Sequence, residues 1–259
     1  MTQAERRLYL IRSLLNEKSE YKNIAVPSDG AGQRRLLRSL MNVRLPQAID
    51  GEFLKIQDEY LKEELERSGV TELCDLTPVD GDLYLRQGDI TKLRCGAIVN
   101  AANSGMTGCY IPCHACIDNC IHTFAGVQLR LECAELMREQ GFEEPTGQAK
   151  ITKAYNLPCG YVIHTVGPIV DGEVTAEDER LLASCYRSCL ELAGRNGIGS
   201  IAFCCISTGV FHFPNERAAE IAVHTVRQYK AETGSGMKVI FNVFKDTDRE
   251  IYERLLGTN

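Results

Sequence analysis

AIVNAANSGMTGCYIPCHACIDNCIH, residues 97–122, is the stretch from which the fold of this chain is read. It opens with AIVNAA (97–102), a short apolar run that turns polar at its end, the texture of a strand buried inside a sheet. A helical period starts at Ile117 and runs through IDNCIHTFAGVQLRLECAELMREQG to Gly141, which stops it. Between strand and helix lies a cysteine-rich loop. Ligand loops of open α/β sheets emerge at this point, after the carboxyl end of a strand.

The same alternation continues outward. LYLRQ (83–87), KITKAY (150–155), YVIHTVG (161–167), SIAFCCIS (200–207) and KVIFNVF (238–244) read as strands. AEDERLLASCYRSCLELAGRNG (176–197) reads as a helix with acidic residues first and Arg-Asn-Gly last, matching the helix dipole. PNERAAEIAVHTVRQYKAETG (214–234) opens with proline and closes with glycine, and DTDREIYERLL (246–256) is a last helix. Strands alternating with helices give an α/β chain: a three-layer α/β/α sandwich around a mixed, largely parallel sheet over residues 81–259. The first 80 residues read as helical. Leu8, Ile11, Leu14 and Leu15 share one face, as do Leu36, Leu37, Leu40 and Met41, and Phe53, Ile56, Tyr60, Leu61 and Leu65. Residues 1–80 are therefore expected to form a helical extension packed on the core.

Of 259 residues, 29 are Lys or Arg and 35 Asp or Glu, a net charge of −6, so no global basic field recruits nucleic acid. The N-terminal MTQAERRLYL lacks the apolar run of a signal peptide, and no segment reaches the ~20 apolar residues of a membrane helix. A cytoplasmic chain without a membrane partner is expected. In that reducing setting the twelve cysteines are not a disulfide framework but buried small hydrophobes, metal ligands or reactive thiols. Cys185, Cys189, Cys204 and Cys205 sit in apolar faces and read as core. His164 reads as packed in the sheet, His122 as a residue that orients the loop, and His224 as surface or packing.

Four cysteines, Cys109, Cys113, Cys116 and Cys120, crowd the loop. Cys109, His114 and Cys116 give C-x4-H-x-C, and thiolate and imidazole are the ligands zinc prefers. Three protein ligands leave a fourth position open, the catalytic form of a zinc site. Ligation by Cys113 or Cys120 as well would close it into a structural one, and four free thiols without metal are a third reading.

RQGDITKL, AIVNAANS, CIDNCIHTFAG, YVIHTVGP and STGVFHFP, in this order over residues 86–214, resemble the macrodomain family, whose members bind ADP-ribose. The loop carrying Cys109, His114 and Cys116, together with the helical extension, resembles the zinc-containing macrodomains of bacteria. The resemblance implies that Asp89 accepts from the adenine amino group while the Ile90 backbone meets the ring edge. Asn103 would contact the distal ribose, with Asn100 as a scaffold residue. Ser207, Thr208, Gly209, Val210 and Phe211 match the phosphate loop, with Phe211 also covering the ribose. His212 stands where the family usually has glycine, and Cys113 is not required by the ligand pattern. Asp118 matches an aspartate of macrodomain hydrolases and is a candidate base, though it could equally cap its helix.

The activity implied is zinc-dependent hydrolysis of mono-ADP-ribose from modified protein side chains, ester-linked to Asp or Glu. The implied partners are a sirtuin-like transferase and a lipoyl-carrier protein. Two alternatives stand beside it: a non-catalytic ADP-ribose reader with structural zinc, and a hydrolase of a free ADP-ribose ester metabolite.

Overall fold

The structure is a computed structural model that describes residues 1–257. It begins with three helices, α1 (Gln3–Asn16), α2 (Gly30–Val43) and α3 (Gly51–Ser68). Each is started by a side-chain cap: Thr2 accepts from Glu5 N, Asp29 from Gly32 N and Asp50 from Phe53 N. Their apolar faces meet in a cluster that includes Leu10, Ile11, Leu37, Leu40, Phe53 and Leu61, which Val127 of the core completes.

The helical reading of the first 80 residues holds as far as Ser68. Gly69, at φ 82°, ends α3, and the chain continues as β1 (Thr71–Glu72) and β2 (Pro78–Asp80). Pro78 of β2 pairs with Tyr84, so the main sheet starts inside the stretch read as helical. Proline has no N–H to donate, which suits the sheet edge where β2 lies.

The remaining strands are β3 (Leu83–Gln87), β4 (Leu93–Arg94), β5 (Ala97–Ala102), β6 (Ala149–Lys153), β7 (Tyr161–Val166), β8 (Ser200–Phe203) and β9 (Lys238–Val243). β1 and β4 form a small parallel pair. The main sheet has the order β2-β3-β9-β8-β5-β7-β6. Its five central strands are parallel, and β2 and β6 run antiparallel at the two edges. α4 (Ile117–Ala125), α5 (Val127–Gln140), α6 (Ala176–Arg195), α7 (Asn215–Thr233) and α8 (Asp246–Leu256) flank it. The central strands read as unbroken apolar runs because both faces are covered: Ile98, Val99, Ile163, Ile201 and Ile240 are all wholly buried.

The largest boundary differences from the sequence reading are these. The single helix expected over 117–141 is two, because Gly126 takes φ 98° and breaks the ladder. The Val127 N–H there donates to Gln57 Oε1 of α3 at 3.0 Å, so the extension starts α5. The strand expected over 200–207 ends at Phe203, where pairing with β9 stops and the chain turns, with Ser207 at φ 65°. The strand expected over 150–155 ends at Lys153, just before Tyr155 at φ 54°.

All twelve cysteines are free thiols. Cys185, Cys189 and Cys204 are buried as expected, whereas Cys205 is only partly so. His164 is wholly buried in β7, and His224 is exposed on α7. No helix among the described residues is long and apolar enough to cross a membrane.

Candidate functional site

The parallel strands end together, and the loops that follow them enclose a cavity of about 460 Å³. Gly88, Asp89 and Ile90 after β3 form one part of its wall. Cys116 and Ile117 after β5, and Cys205 with Ser207–Phe211 after β8, form others. Arg38 of α2 also reaches it.

Asp89 does two things with one carboxylate. Its Oδ1 caps the short turn Ile90–Lys92, accepting from Thr91 N at 3.0 Å and Thr91 Oγ1 at 2.6 Å. Its Oδ2 accepts no hydrogen bond among the described residues and stays available to a ligand amino group.

The 207–211 loop is a cradle of free amides. Ser207 and His212 both take left-handed backbone, at φ 65° and 58°. His212 thus takes the left-handed conformation that a glycine adopts without strain. The loop is tied at its ends by His212 N to Gly209 O and Phe213 N to Ser207 O. The N–H groups of Gly209, Val210 and Phe211 make no hydrogen bond among the described residues. Ser207 Oγ is buried and unpartnered as well. Consecutive unpaired amides at a turn form an anion-binding concavity. Gly167 makes the arrangement possible: a Cβ there would stand 2.0 Å from Ser207 Oγ.

The third wall is the cysteine loop. The ligand atoms of Cys109, His114 and Cys116 lie within 4.8 Å of one another, with Cys109 Sγ 3.6 Å from His114 Nδ1. Two thiols and an imidazole converging without a fourth donor among the described residues fit a divalent zinc-type ion with one position left over. Cys113 takes φ 54° and turns its thiol to α2, 3.2 Å from Ser39 Oγ, and Cys120 Sγ receives Arg38 at 3.5 Å. Neither joins the trio. Burial pushes the Cys116 thiol up to about 12, so a thiolate there needs a cationic partner. Cys116 is also the N-cap of α4, its sulfur accepting from Asn119 N at 3.4 Å.

That cap settles the position of Asp118, which stands within the first turn of α4 rather than at its cap. Its carboxylate is buried, with Oδ1 accepting from Asn100 at 2.8 Å and Oδ2 from Asn103 at 3.3 Å. Burial raises it to about 6, against the lowering pull of the Asn100 hydrogen bond and the Arg130 charge. Asn103 is partly exposed. Its Oδ1 closes an Asx turn on Gly105 N at 3.0 Å, and its amide donates to Gly108 O and to Asp118. Asn103, Asp118, Cys109 and His114 do not line the cavity itself; they cluster with Cys116 at one end of it.

His122 packs its ring under the loop: a Cβ on Gly108, itself at φ 87°, would meet that ring at 2.8 Å. Its nearest approach to Asp118, 3.6 Å, is too long for a hydrogen bond, and both ring nitrogens are unpartnered. Burial lowers His122 well below its usual value, so it is neutral. With Cys133 and His164 it forms a second, wholly interior group of donors, but both nitrogens of His164 are already taken, by Asn100 and Thr152.

Sequence reasoning missed Asn119 and Arg130. Asn119 Nδ2 donates to Ile111 O at 3.0 Å and Cys109 O at 3.3 Å, stitching the loop to α4. Arg130 Nε donates to Thr107 O at 2.7 Å, while its Nη1 reaches Met41 O, Asn42 O and Arg44 O at the end of α2. Nothing in the local pattern marks either one. Both lie on helices otherwise read by their apolar period.

The macro domain family model matches residues 99–222. A protein-ADP-ribose hydrolase of Treponema medium is 61% identical, over 99% of this chain and 100% of that one. A protein-ADP-ribose hydrolase of Staphylococcus aureus (strain MSSA476) is 50% identical, over 95% and 92%. Among solved structures, the Trypanosoma brucei macrodomain in complex with ADP-ribose superposes with a TM-score of 0.66 at 33% identity, covering 85% of this chain and 95% of that one. The Oceanobacillus iheyensis macrodomain with ADP gives 0.63 at 36%, covering 71% and 94%. With its mixed sheet, its flanking helices and these relatives, the chain belongs to the macro domain family.

Proposed function

We propose that the protein hydrolyses mono-ADP-ribose from modified protein side chains. The observation that carries this reading is the set of free amides at Gly209, Val210 and Phe211, lining one cavity with Asp89, whose Oδ2 accepts no hydrogen bond among the described residues. A diphosphate bound by those amides leaves adenine to Asp89 and Ile90 and the distal ribose to the Cys116 end, beside Asn103. The hydrolase names of relatives at 61% and 50% identity support turnover over binding alone.

Each polar group then has a task. Asp89 Oδ2 accepts from the adenine amino group. Ser207, Thr208 and the 209–211 amides hold the diphosphate, and Phe211 covers the ribose. Asn103 has one lone pair left on Oδ1 and orients the distal ribose. Asp118 fixes the Asn103 amide through Oδ2. It becomes a base for an incoming water only when that hydrogen bond is exchanged. Cys109, His114 and Cys116 would hold one zinc ion, which when bound supplies Lewis-acid chemistry beside the distal ribose. A linkage to Asp or Glu, reversal of a sirtuin-like transferase and a lipoyl-carrier substrate are parts of the same proposal, supported by the resemblance of the loop and helical extension to bacterial zinc macrodomains. A cytoplasmic setting accords with twelve unpaired cysteines.

The test is release of ADP-ribose from aspartate-linked and arginine-linked substrates, with and without chelator. Selective, chelator-sensitive release from the ester is the expected result. Tight ADP-ribose binding with no release from either substrate would establish a reader instead.

A further inference from the structure

The helical extension reaches the cysteine loop through one side chain. Arg38 of α2 places Nη2 at 2.8 Å from His114 O, 2.9 Å from Asn119 Oδ1 and 3.5 Å from Cys120 Sγ. Asn119 is wholly buried. With its oxygen held by Arg38, its amide nitrogen must face the loop, where it meets Ile111 O and Cys109 O. Its backbone N–H meets Cys116 Sγ. One guanidinium therefore bears on two donors of the trio, His114 through its carbonyl and Cys109 through the Asn119 amide, while the backbone of the same asparagine meets the third at Cys116. The rest of α2 reinforces the grip, since Asn42 Oδ1 accepts from Cys113 N at 2.8 Å and Ser39 Oγ meets the Cys113 thiol.

We infer that Arg38, acting through Asn119, is the positioning residue of the Cys109–His114–Cys116 site, so that α2 of the N-terminal extension completes the metal-binding loop. This rests on the reading of that trio as a metal site. Two thiols and an imidazole on a short loop depend on the surrounding structure for their orientation. Partners outside the ligand set fix their orientation and commonly change metal affinity by about 10–100-fold. Arg38 makes all three contacts from one nitrogen, Nη2, which its rigid planar guanidinium holds in a fixed direction where an ammonium on a flexible stem would not.

The experiment is zinc affinity of the full-length protein, measured by competition with a chromogenic chelator, alongside kcat, KM and thermal stability. Arg38→Met removes the donors and keeps the apolar stem, Arg38→Lys keeps only the charge, and Asn119→Ala removes the intermediary. Leu40→Ala, on the same helix but in the apolar cluster of the extension, measures general loosening. The expected result is zinc binding weakened about tenfold or more in Arg38→Met and Asn119→Ala. Arg38→Lys should lie between these and wild type, and Leu40→Ala should lose stability while keeping wild-type zinc affinity. Arg38→Met binding zinc as wild type does, or Leu40→Ala weakening it equally, overturns the proposal while leaving the metal reading intact. Wild type binding zinc no better than Cys116→Ala removes the metal reading and this proposal with it.

Discussion

Asn100 and His164 stand opposite each other in the parallel register of β5 and β7, and one amide group joins them to the site. Asn100 Nδ2 donates to His164 Nδ1 at 3.1 Å and to Asp118 Oδ1 at 2.8 Å. With Nδ1 accepting, the His164 proton is assigned to Nε2, which faces Thr152 Oγ1 at 2.9 Å. The interior of the sheet thus sets the carboxylate of Asp118, and Asp118 in turn sets Asn103.

Replacing Asn100 by Leu breaks this chain at its centre. It leaves His164 Nδ1 and Asp118 Oδ1 without their donor, which costs about 1–3 kcal/mol for an unsatisfied buried group. Turnover should fall at least about tenfold while ADP-ribose affinity changes by less than about threefold, since the phosphate cradle is untouched. Urea unfolding, steady-state kinetics and calorimetry check the three parts. An unchanged kcat would refute the positioning role.

His164 gives a signed pH dependence. Burial lowers it from 6.5 to about 3, so folding favours the neutral ring. Its contribution is fully present above pH 6.5 and is lost as pH falls towards 3, with His122 acting in the same direction. Asp118 opposes this: raised from 3.8 to about 6, it favours the fold in its protonated form, and its contribution is lost as pH rises through 6. The informative quantity is therefore the difference between wild type and His164→Gln. Urea midpoints taken from pH 7 to pH 4 should fall more steeply for wild type; parallel curves would show that His164 does not carry the effect.

Cys116→Ala should abolish zinc binding and hydrolysis together, because it removes a donor and the N-cap of α4. Loss of a cap costs roughly 1 kcal/mol, so the protein should still fold. ADP-ribose binding should survive within about threefold, the adenine and diphosphate contacts being elsewhere. Full hydrolysis by metal-free wild type contradicts the assignment.

Gly167→Ala tests the cradle. The added Cβ meets Ser207 Oγ at 2.0 Å, so the phosphate loop must shift. Overpacking of this kind costs about 1–3 kcal/mol. ADP-ribose affinity should drop by about tenfold or more, and zinc affinity should stay at the wild-type value. An alanine variant that binds ADP-ribose normally would show that the loop tolerates displacement.

Much of this molecule is legible from its pattern. The runs at 97–102 and 238–244 announce buried strands because a parallel sheet covered on both faces leaves no polar alternation to hide them. Helix ends follow caps and glycines, as at Thr175 and Gly234. Gly126 was harder, since an isolated glycine inside a helical period is compatible with either a continuous helix or a break. What decided it was Gln57, far away in sequence, which satisfies Val127 N. The trio Cys109, His114 and Cys116 could be chosen from spacing, but the exclusion of Cys113 depends on Ser39 and Asn42, which no local rule connects to the loop. Likewise the two roles open to Asp118 are separated only by seeing Cys116 occupy the cap.

Arg130 carries a final consequence. Its guanidinium joins three carbonyls at the end of α2 to Thr107 at the root of the cysteine loop, and it lies 4.4 Å from the Tyr110 ring. The loop is therefore not a portable module. Grafting residues 108–122 onto a macrodomain that lacks α2 transfers the thiols and the imidazole but neither their floor nor their anchor.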